Sequence, residues 1–447
     1  MQRENDFTQG KILGPLLTFM LPVFFAMLLQ SMYGAVDLMI VGKFAEALDV
    51  SAVSTGSQIM MTLTNLVTSF AMGTTILLGR KIGEGKGDEA GRVIGSSICL
   101  FAAIALAFTV LIPVLAPVLS HVMHAPEEAF SETVSYIRIC GLGSVFIISY
   151  NLIGSIFRGI GDSKTPLFTV MIACVCNIAG DLLMVAGFHM GASGAAIATA
   201  AAQAVSVVIS LLLMKHRELP FQLKKTDLRF RSSIVRQVTI LGLPIALQDF
   251  LVGVSFLVLL GIVNSLGLIA SAGVGVAEKV CAFIMLIPVA FMQAMAAFVA
   301  QNMGADKYDR AKKALWYAIG VSTALAVVMF AVTFWHGDLL SGIFANDAEV
   351  ITASAEYLKA YAIDCLLTCF LFCFTGFFNG IGMTRFVMVQ GIIGAFGVRI
   401  PVAFLMSREV PVSMFHMGLA TPCATVVQVT MYLICFRIVN RRFQKQS

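Results

Sequence analysis

The chain has 447 residues, of which 58% are hydrophobic and 12% charged, with a mean hydropathy of +0.90. A soluble protein of ordinary composition carries about a quarter charged residues, so this chain has too few to cover a water-facing surface of its size. That excludes soluble enzymes and disordered scaffolds and leaves an all-α polytopic membrane protein.

A helical span takes about 20 apolar residues, and twelve such segments follow in chain order: 12–42, 49–79, 92–119, 133–157, 166–188, 191–214, 236–264, 267–300, 313–334, 353–378, 386–406 and 416–439. No stretch between them is long enough for an extramembrane domain; the longest polar one, Lys215 to Arg236, is a connector. An even number of spans puts both termini on one side. Most lysines and arginines gather at the N-terminus, in the loops after even-numbered spans and in the C-terminal tail, as at Arg80, Lys81, Lys86, Arg92, Lys224, Lys225, Arg229, Arg231, Arg441 and Arg442. Two of the longer opposite loops are acidic, with Glu127, Glu128 and Glu132 in one and Asp338, Asp347 and Glu349 in the other. The positive-inside rule then predicts a protein of the cell (inner) membrane with both termini cytoplasmic. The same clustering accounts for the net charge of +5 and for the basic connector, with no nucleic-acid partner. All ten cysteines lie in apolar segments without metal-ligand spacing. Cys365, Cys369 and Cys373, on one helical face, read as small buried hydrophobes.

The sequence repeats itself at an offset of about 221 residues. Phe157-Arg-Gly-Ile-Gly-Asp-Ser-Lys164 matches Phe378-Asn-Gly-Ile-Gly-Met-Thr-Arg385, and Gly83-Glu-Gly-Lys-Gly-Asp-Glu-Ala90 matches Gly304-Ala-Asp-Lys-Tyr-Asp-Arg-Ala311. Tyr136 pairs with Tyr357, and Leu21-Pro22 with Leu243-Pro244. Two copies of six spans share one orientation, so the expected fold is two six-helix bundles, 1–220 and 221–447, related by a pseudo-twofold axis along the membrane normal. The paired glycine-basic loops read as tight turns carrying orientation charges.

Ionisable groups inside spans are costly and default to functional candidates; here they are Asp37, Asp181, Asp249, Glu278, Lys279, Asp364 and Arg399. Asp37 and Asp181 belong to the first copy, and their repeat mates are apolar. At 1.5 Å per residue, Asp37 and Asp181 each lie about 10 Å from the outer ends of spans 1 and 5, and Thr199 about 13 Å down span 6. Asn177 shares a helical face with Asp181, and Gln30 and Tyr33 share one with Asp37. Two carboxylates, an amide and a hydroxyl at one level suit a hard monovalent cation or protons, because two carboxylates in a poorly solvated pocket need compensation. In the second copy, Asp249 and Arg399 are expected to form a compensating pair, with or without Glu278, or to line the cargo path, while Asp364 is expected to be wetted from outside. Pro22 and Pro244 permit kinks in spans 1 and 7.

At these residues the sequence resembles the multidrug and toxic compound extrusion (MATE) transporters, in particular their prokaryotic DinF-like branch. The resemblance covers essentially the whole chain and is carried by Gln30-x-x-Tyr33-x-x-x-Asp37, Asn177-x-x-x-Asp181, Thr199 and Arg158-Gly-x-Gly-Asp162. It implies that Asp37, Asn177, Asp181 and Thr199 form a cation site, with Tyr33, Tyr136 and Asn151 around or above it. Where the NorM-like branch carries a span-7 glutamate this chain has Val252, with Asp249 three residues earlier, and a span-10 aspartate of that branch falls near Thr368.

The expected activity is secondary export of organic cations or other amphipathic small molecules against H⁺ or Na⁺ by alternating access. The expected partners are those substrates and membrane lipid; the chain is expected to act as a monomer and to need no cofactor beyond the coupling ion. A lipid-linked saccharide flippase of the same broad superfamily is the alternative, although it calls for a basic cleft. A membrane enzyme lacks support, since no HExxH, GxSxG or carboxylate–histidine constellation occurs. A channel fits poorly with the asymmetry between the copies.

Overall fold

The computed structural model describes residues 7–216, 219–221 and 223–444. Among the described residues every regular element is a helix. In chain order they are α1 (Leu13–Phe44), α2 (Ala47–Gly83), α3 (Gly87–Val122), α4 (Phe130–Leu142), α5 (Ser144–Ile160), α6 (Lys164–Asp181) and α7 (Gly191–His216). They continue as α8 (Ser232–Asn264), α9 (Leu268–Ile284), α10 (Leu286–Gly304), α11 (Tyr308–Trp335), α12 (Gly337–Gly342), α13 (Ala348–Gly380), α14 (Thr384–Ile392), α15 (Ile400–Met406), α16 (Met414–Gly418) and α17 (Ala420–Gln444).

Among the described residues eleven helical segments are long and apolar enough to cross a membrane, and α4 with α5 supplies a twelfth span bent by 51°. The protein is therefore a multi-pass membrane protein. The expected straight span 133–157 breaks because Gly141 and Gly143 lie at the bend. A Cβ on Gly143 would approach Ala200 to 2.8 Å, and one on Gly141 would approach Ile112 to 2.8 Å, so the backbone presses on its neighbours there. The short helices α12 and α16, unforeseen in the sequence, lie in the polar intervals beside the expected spans 9 and 12. The repeated turns are alike: Gly161 and Gly382 both take left-handed φ, 88° and 82°.

Leu21–Ala246 forms one compact unit, and the chain from Leu247 onward forms the other together with the segment up to Met20. Each unit thus includes the lead-in to the other's first span. In the first unit, glycine makes the fit: a Cβ on Gly73 of α2 would meet the Val238 carbonyl at 2.5 Å, and one on Gly242 of α8 would collide with the Phe70 carbonyl. The connector also rests on α3, where Ser96 donates to the Arg229 carbonyl at 3.0 Å. In the second unit, Phe7 is fully buried against Phe19 and Phe298. The guanidinium of Arg310 donates to the carbonyls of Phe7, Gln9, Gly10 and Lys11 at 2.7–3.0 Å. Asn302 adds a bond to Phe7 and Lys307 one to Thr8.

The first unit's core gathers Val41, Val53, Tyr136, Ile137, Val185 and Ala195. The second unit's gathers Leu259, Val274, Tyr357, Tyr361, Met417 and Ala420. Tyr136 and Tyr357, partners in the sequence repeat, are each 2% exposed.

Candidate functional site

Three helices of the first unit converge on one polar locus. α6 carries Asn177 and Asp181 one turn apart, then its hydrogen-bond ladder widens to i→i+5 over Leu182–Gly187, directly after Asp181. Such widened turns are frequent at functional sites. α6 and α7 approach closely because Gly180 faces Ala198: a Cβ on that glycine would stand 2.9 Å from the alanine's. This contact lets the Asn177 amide donate to the Thr199 hydroxyl at 3.3 Å. α1 brings Asp37, whose carboxyl neighbours that of Asp181.

Both acids are buried, 5% and 0% exposed. Asp37 Oδ1, both oxygens of Asp181 and Asn177 Oδ1 have no hydrogen-bond partner. Buried polar atoms are ordinarily satisfied, and one left bare costs about 1–3 kcal/mol, more if charged. The charged neighbour of each acid is the other acid, so the locus is rich in acceptors and poor in positive charge. An adjoining cavity is lined by Tyr33, Ala173, Asn177, Thr199, Ala202 and Gln203, with a free volume of about 10 Å³. That is room for a water or a bare ion and far too little for a drug-sized cargo.

The other residues singled out from the sequence divide. Tyr33 lies beside Asp37 and lines the same small cavity as Gln203. Tyr136 is a neighbour of Asp37 and Tyr33, and its ring occupies the space a side chain at Gly56 would need. Asn151 spends its amide elsewhere, accepting from Thr68 at 2.7 Å and donating to Ile147 at 2.8 Å. Gln30 is exposed and turns to Tyr150. Gln203 was not singled out; its Oε1 is buried without a partner. Its place one turn after Thr199 on the same face of span 6 was the available signal.

In the second unit two expectations are corrected. Arg399, 6% exposed, directs Nη1 to the Ser255 hydroxyl at 2.8 Å and lays its guanidinium over the Phe256 ring at 4.1 Å, not onto Asp249. Asp249 is exposed on α8, and Ser255, six residues further on, faces another side of that helix. Asp364 is 1% exposed and so is not wetted; it lies against Thr425, in the field of Arg399. Glu278 is half-buried, and its Oε1 is without a partner. Among the described residues no group of three or more His, Cys, Asp or Glu is placed to hold a metal.

The MatE family model matches the chain twice, over residues 22–183 and 244–405. The chain is 23% identical over 433 residues to the probable multidrug resistance protein YoeA of Bacillus subtilis, covering 95% of this chain and 94% of that one. It is 24% identical over 437 residues to the multidrug export protein MepA of Staphylococcus saprophyticus, covering 97% and 96%. A solved outward-facing multidrug resistance MATE family transporter of the MOP superfamily superposes with a TM-score of 0.92 at 18% identity, over 100% and 99% of the two chains. Two family matches, one on each half, follow the internal duplication and together take in most of the sequence: the chain belongs to the MatE (multidrug and toxic compound extrusion) family.

Proposed function

We propose that this protein is a secondary exporter of amphipathic or cationic small molecules, driven by H⁺ or Na⁺ and working by alternating access. The observation that carries the reading is the Asp37–Asp181 pair: two buried carboxyls side by side, with three oxygens unpartnered and no cation beside them. Such a pair holds a proton or a monovalent cation whenever it is sealed from water. Asn177 Oδ1 and the Thr199 hydroxyl supply neutral oxygens, which suit Na⁺ as well as a hydrated proton.

In this reading the ion enters from outside, neutralises the pair and weakens its hold on a positively charged cargo. Coupling follows because ion and cargo bind the two conformations with unequal affinity. The names of the relatives, multidrug resistance and multidrug export proteins, support the cargo class. The distribution of lysine and arginine supports cytoplasmic termini in the cell membrane. Uptake of a fluorescent organic cation into everted vesicles, with Na⁺ and pH gradients imposed separately, tests the proposal. Uptake driven by one gradient and lost in Asp37→Asn is expected; uptake indifferent to both gradients overturns it.

A further inference from the structure

The second unit carries its own buried charged locus, built on the same plan as the first. Tyr136 adjoins Asp37 in the first unit, and its repeat partner Tyr357 adjoins Asp364 and Arg399 in the second. Asp181 ends α6 directly before a widened turn; Arg399 ends the widened turn Ile393–Arg399 that follows α14. Counted from the starts of α6 and α14, the two residues lie about 25 Å and about 22 Å along their spans. The strict repeat mate of Asp181 is close to Val402, three residues beyond Arg399 and on the same face. At equivalent places, then, one unit holds a second carboxylate and the other a guanidinium.

Buried acceptors of the second unit are again left bare. Asp364 Oδ1, Glu278 Oε1, Thr421 Oγ1 and Gln428 Oε1 are buried without hydrogen-bond partners. Arg399 is the cation in whose field Asp364 lies, and it is held in place by Ser255 and by the Phe256 ring, with its Nε unpartnered. An arginine cannot be deprotonated in a protein, so this positive charge is permanent and does not exchange with solution.

We infer that Arg399 is a tethered cation: it compensates Asp364 in the second unit as a mobile H⁺ or Na⁺ compensates Asp37 and Asp181 in the first, so that the second unit holds a latent cation site that opens only when the guanidinium is removed. The inference goes beyond the proposed function by limiting ion binding to one of the two repeats. It also makes Arg399 a positioning residue for charge balance rather than a ligand of the cargo. The titratable groups facing Asp364 are Arg399 and Cys281 from other elements, and Tyr357, Tyr361, Cys365 and Cys369 from α13 itself, with Glu278 beyond them beside Cys281 and Tyr357. Among these only Arg399 is cationic.

The test is thermal unfolding of the purified full chain, with NaCl exchanged for choline chloride at pH 8 and, separately, with pH lowered from 8 to 6. The first-unit site is silenced by Asp37→Asn with Asp181→Asn. In that background the melting temperature is expected to be indifferent to Na⁺ and acid. Adding Arg399→Gln is expected to create a dependence, a rise of several degrees with Na⁺ or with acid according to which ion fills the vacated place. Arg399→Lys is expected to create none, and further addition of Asp364→Asn is expected to abolish it. A folded Arg399→Gln variant that stays indifferent to both ions overturns the inference. If that variant does not accumulate, its level in membranes is compared with that of Asp364→Asn/Arg399→Gln: recovery in the double variant supports the inference and equal failure overturns it. Loss of ion response in the wild type would count against the first-unit site alone, so the two readings fail separately.

Discussion

Asp37 of α1 and Asp181 at the end of α6 are neighbouring carboxyls, each buried, with no cationic side chain among the described residues acting on either. Replacing either with asparagine removes the repulsion that an ion must relieve. Asp37→Asn and Asp181→Asn are therefore expected to fold at least as well as the wild type in ion-poor, alkaline buffer and to lose ion-driven efflux at least about tenfold. Melting curves and vesicle transport, measured on the same preparations, check both halves. A folded variant that keeps ion-driven efflux would contradict the assignment.

Gly242 and Gly73 set the distance between the start of α8 and α2. Gly242→Ala forces its methyl into the Phe70 carbonyl, and overpacking of this kind costs about 1–3 kcal/mol. A lower melting temperature and lower yield in membranes are expected. Gly34→Ala, which meets nothing within 4 Å, is the matched control and is expected to be neutral or slightly stabilising, because alanine is the better helix former.

Arg310 gathers four carbonyls of Phe7–Lys11 into one guanidinium. Lysine keeps the charge but not the planar fork of donors. Arg310→Lys is thus expected to leave the helices intact and to make the segment before α1 more susceptible to protease. Limited proteolysis with N-terminal sequencing of the products measures this directly.

A cluster at the end of α2 makes a pH prediction outside the spans. Partial burial pushes the Glu84 carboxyl up, but Lys86 and Lys81, at 2.9 Å and 3.0 Å, outweigh it and hold the group below its ordinary value of 4.5. A carboxyl depressed in the folded state stabilises above its unfolded pKa, and that contribution is lost as pH falls through the folded value. Glu84→Gln is accordingly expected to melt slightly below the wild type at pH 7, with the difference shrinking in high salt and fading as the pH falls below 4.5 through the group's lowered folded value.

Much of this protein was legible in the sequence because lipid imposes a coarse and repetitive code. Length and apolarity marked the spans, and the duplication ordered them into two sets of six. The burial cost of a charge singled out Asp37, Asp181 and Arg399 without any knowledge of their neighbours. Helical periodicity, being local, put Asn177 and Asp181 on one face of span 5, and depth put Thr199 at a similar level; the structure brings Asn177 to Thr199.

What only the tertiary structure decided depends on contacts between distant segments, which periodicity does not encode. The break at Gly143 follows from the approach of Ala200, and the lead-ins to spans 1 and 7 join opposite units because Phe7 and Gly242 find their partners there. The partner of Arg399 turned on which face of α8 it meets, so Ser255 and Phe256 take the place expected for Asp249. Asp364 proved buried for the same reason: whether water reaches a carboxyl at a given depth is set by the helices packed over it.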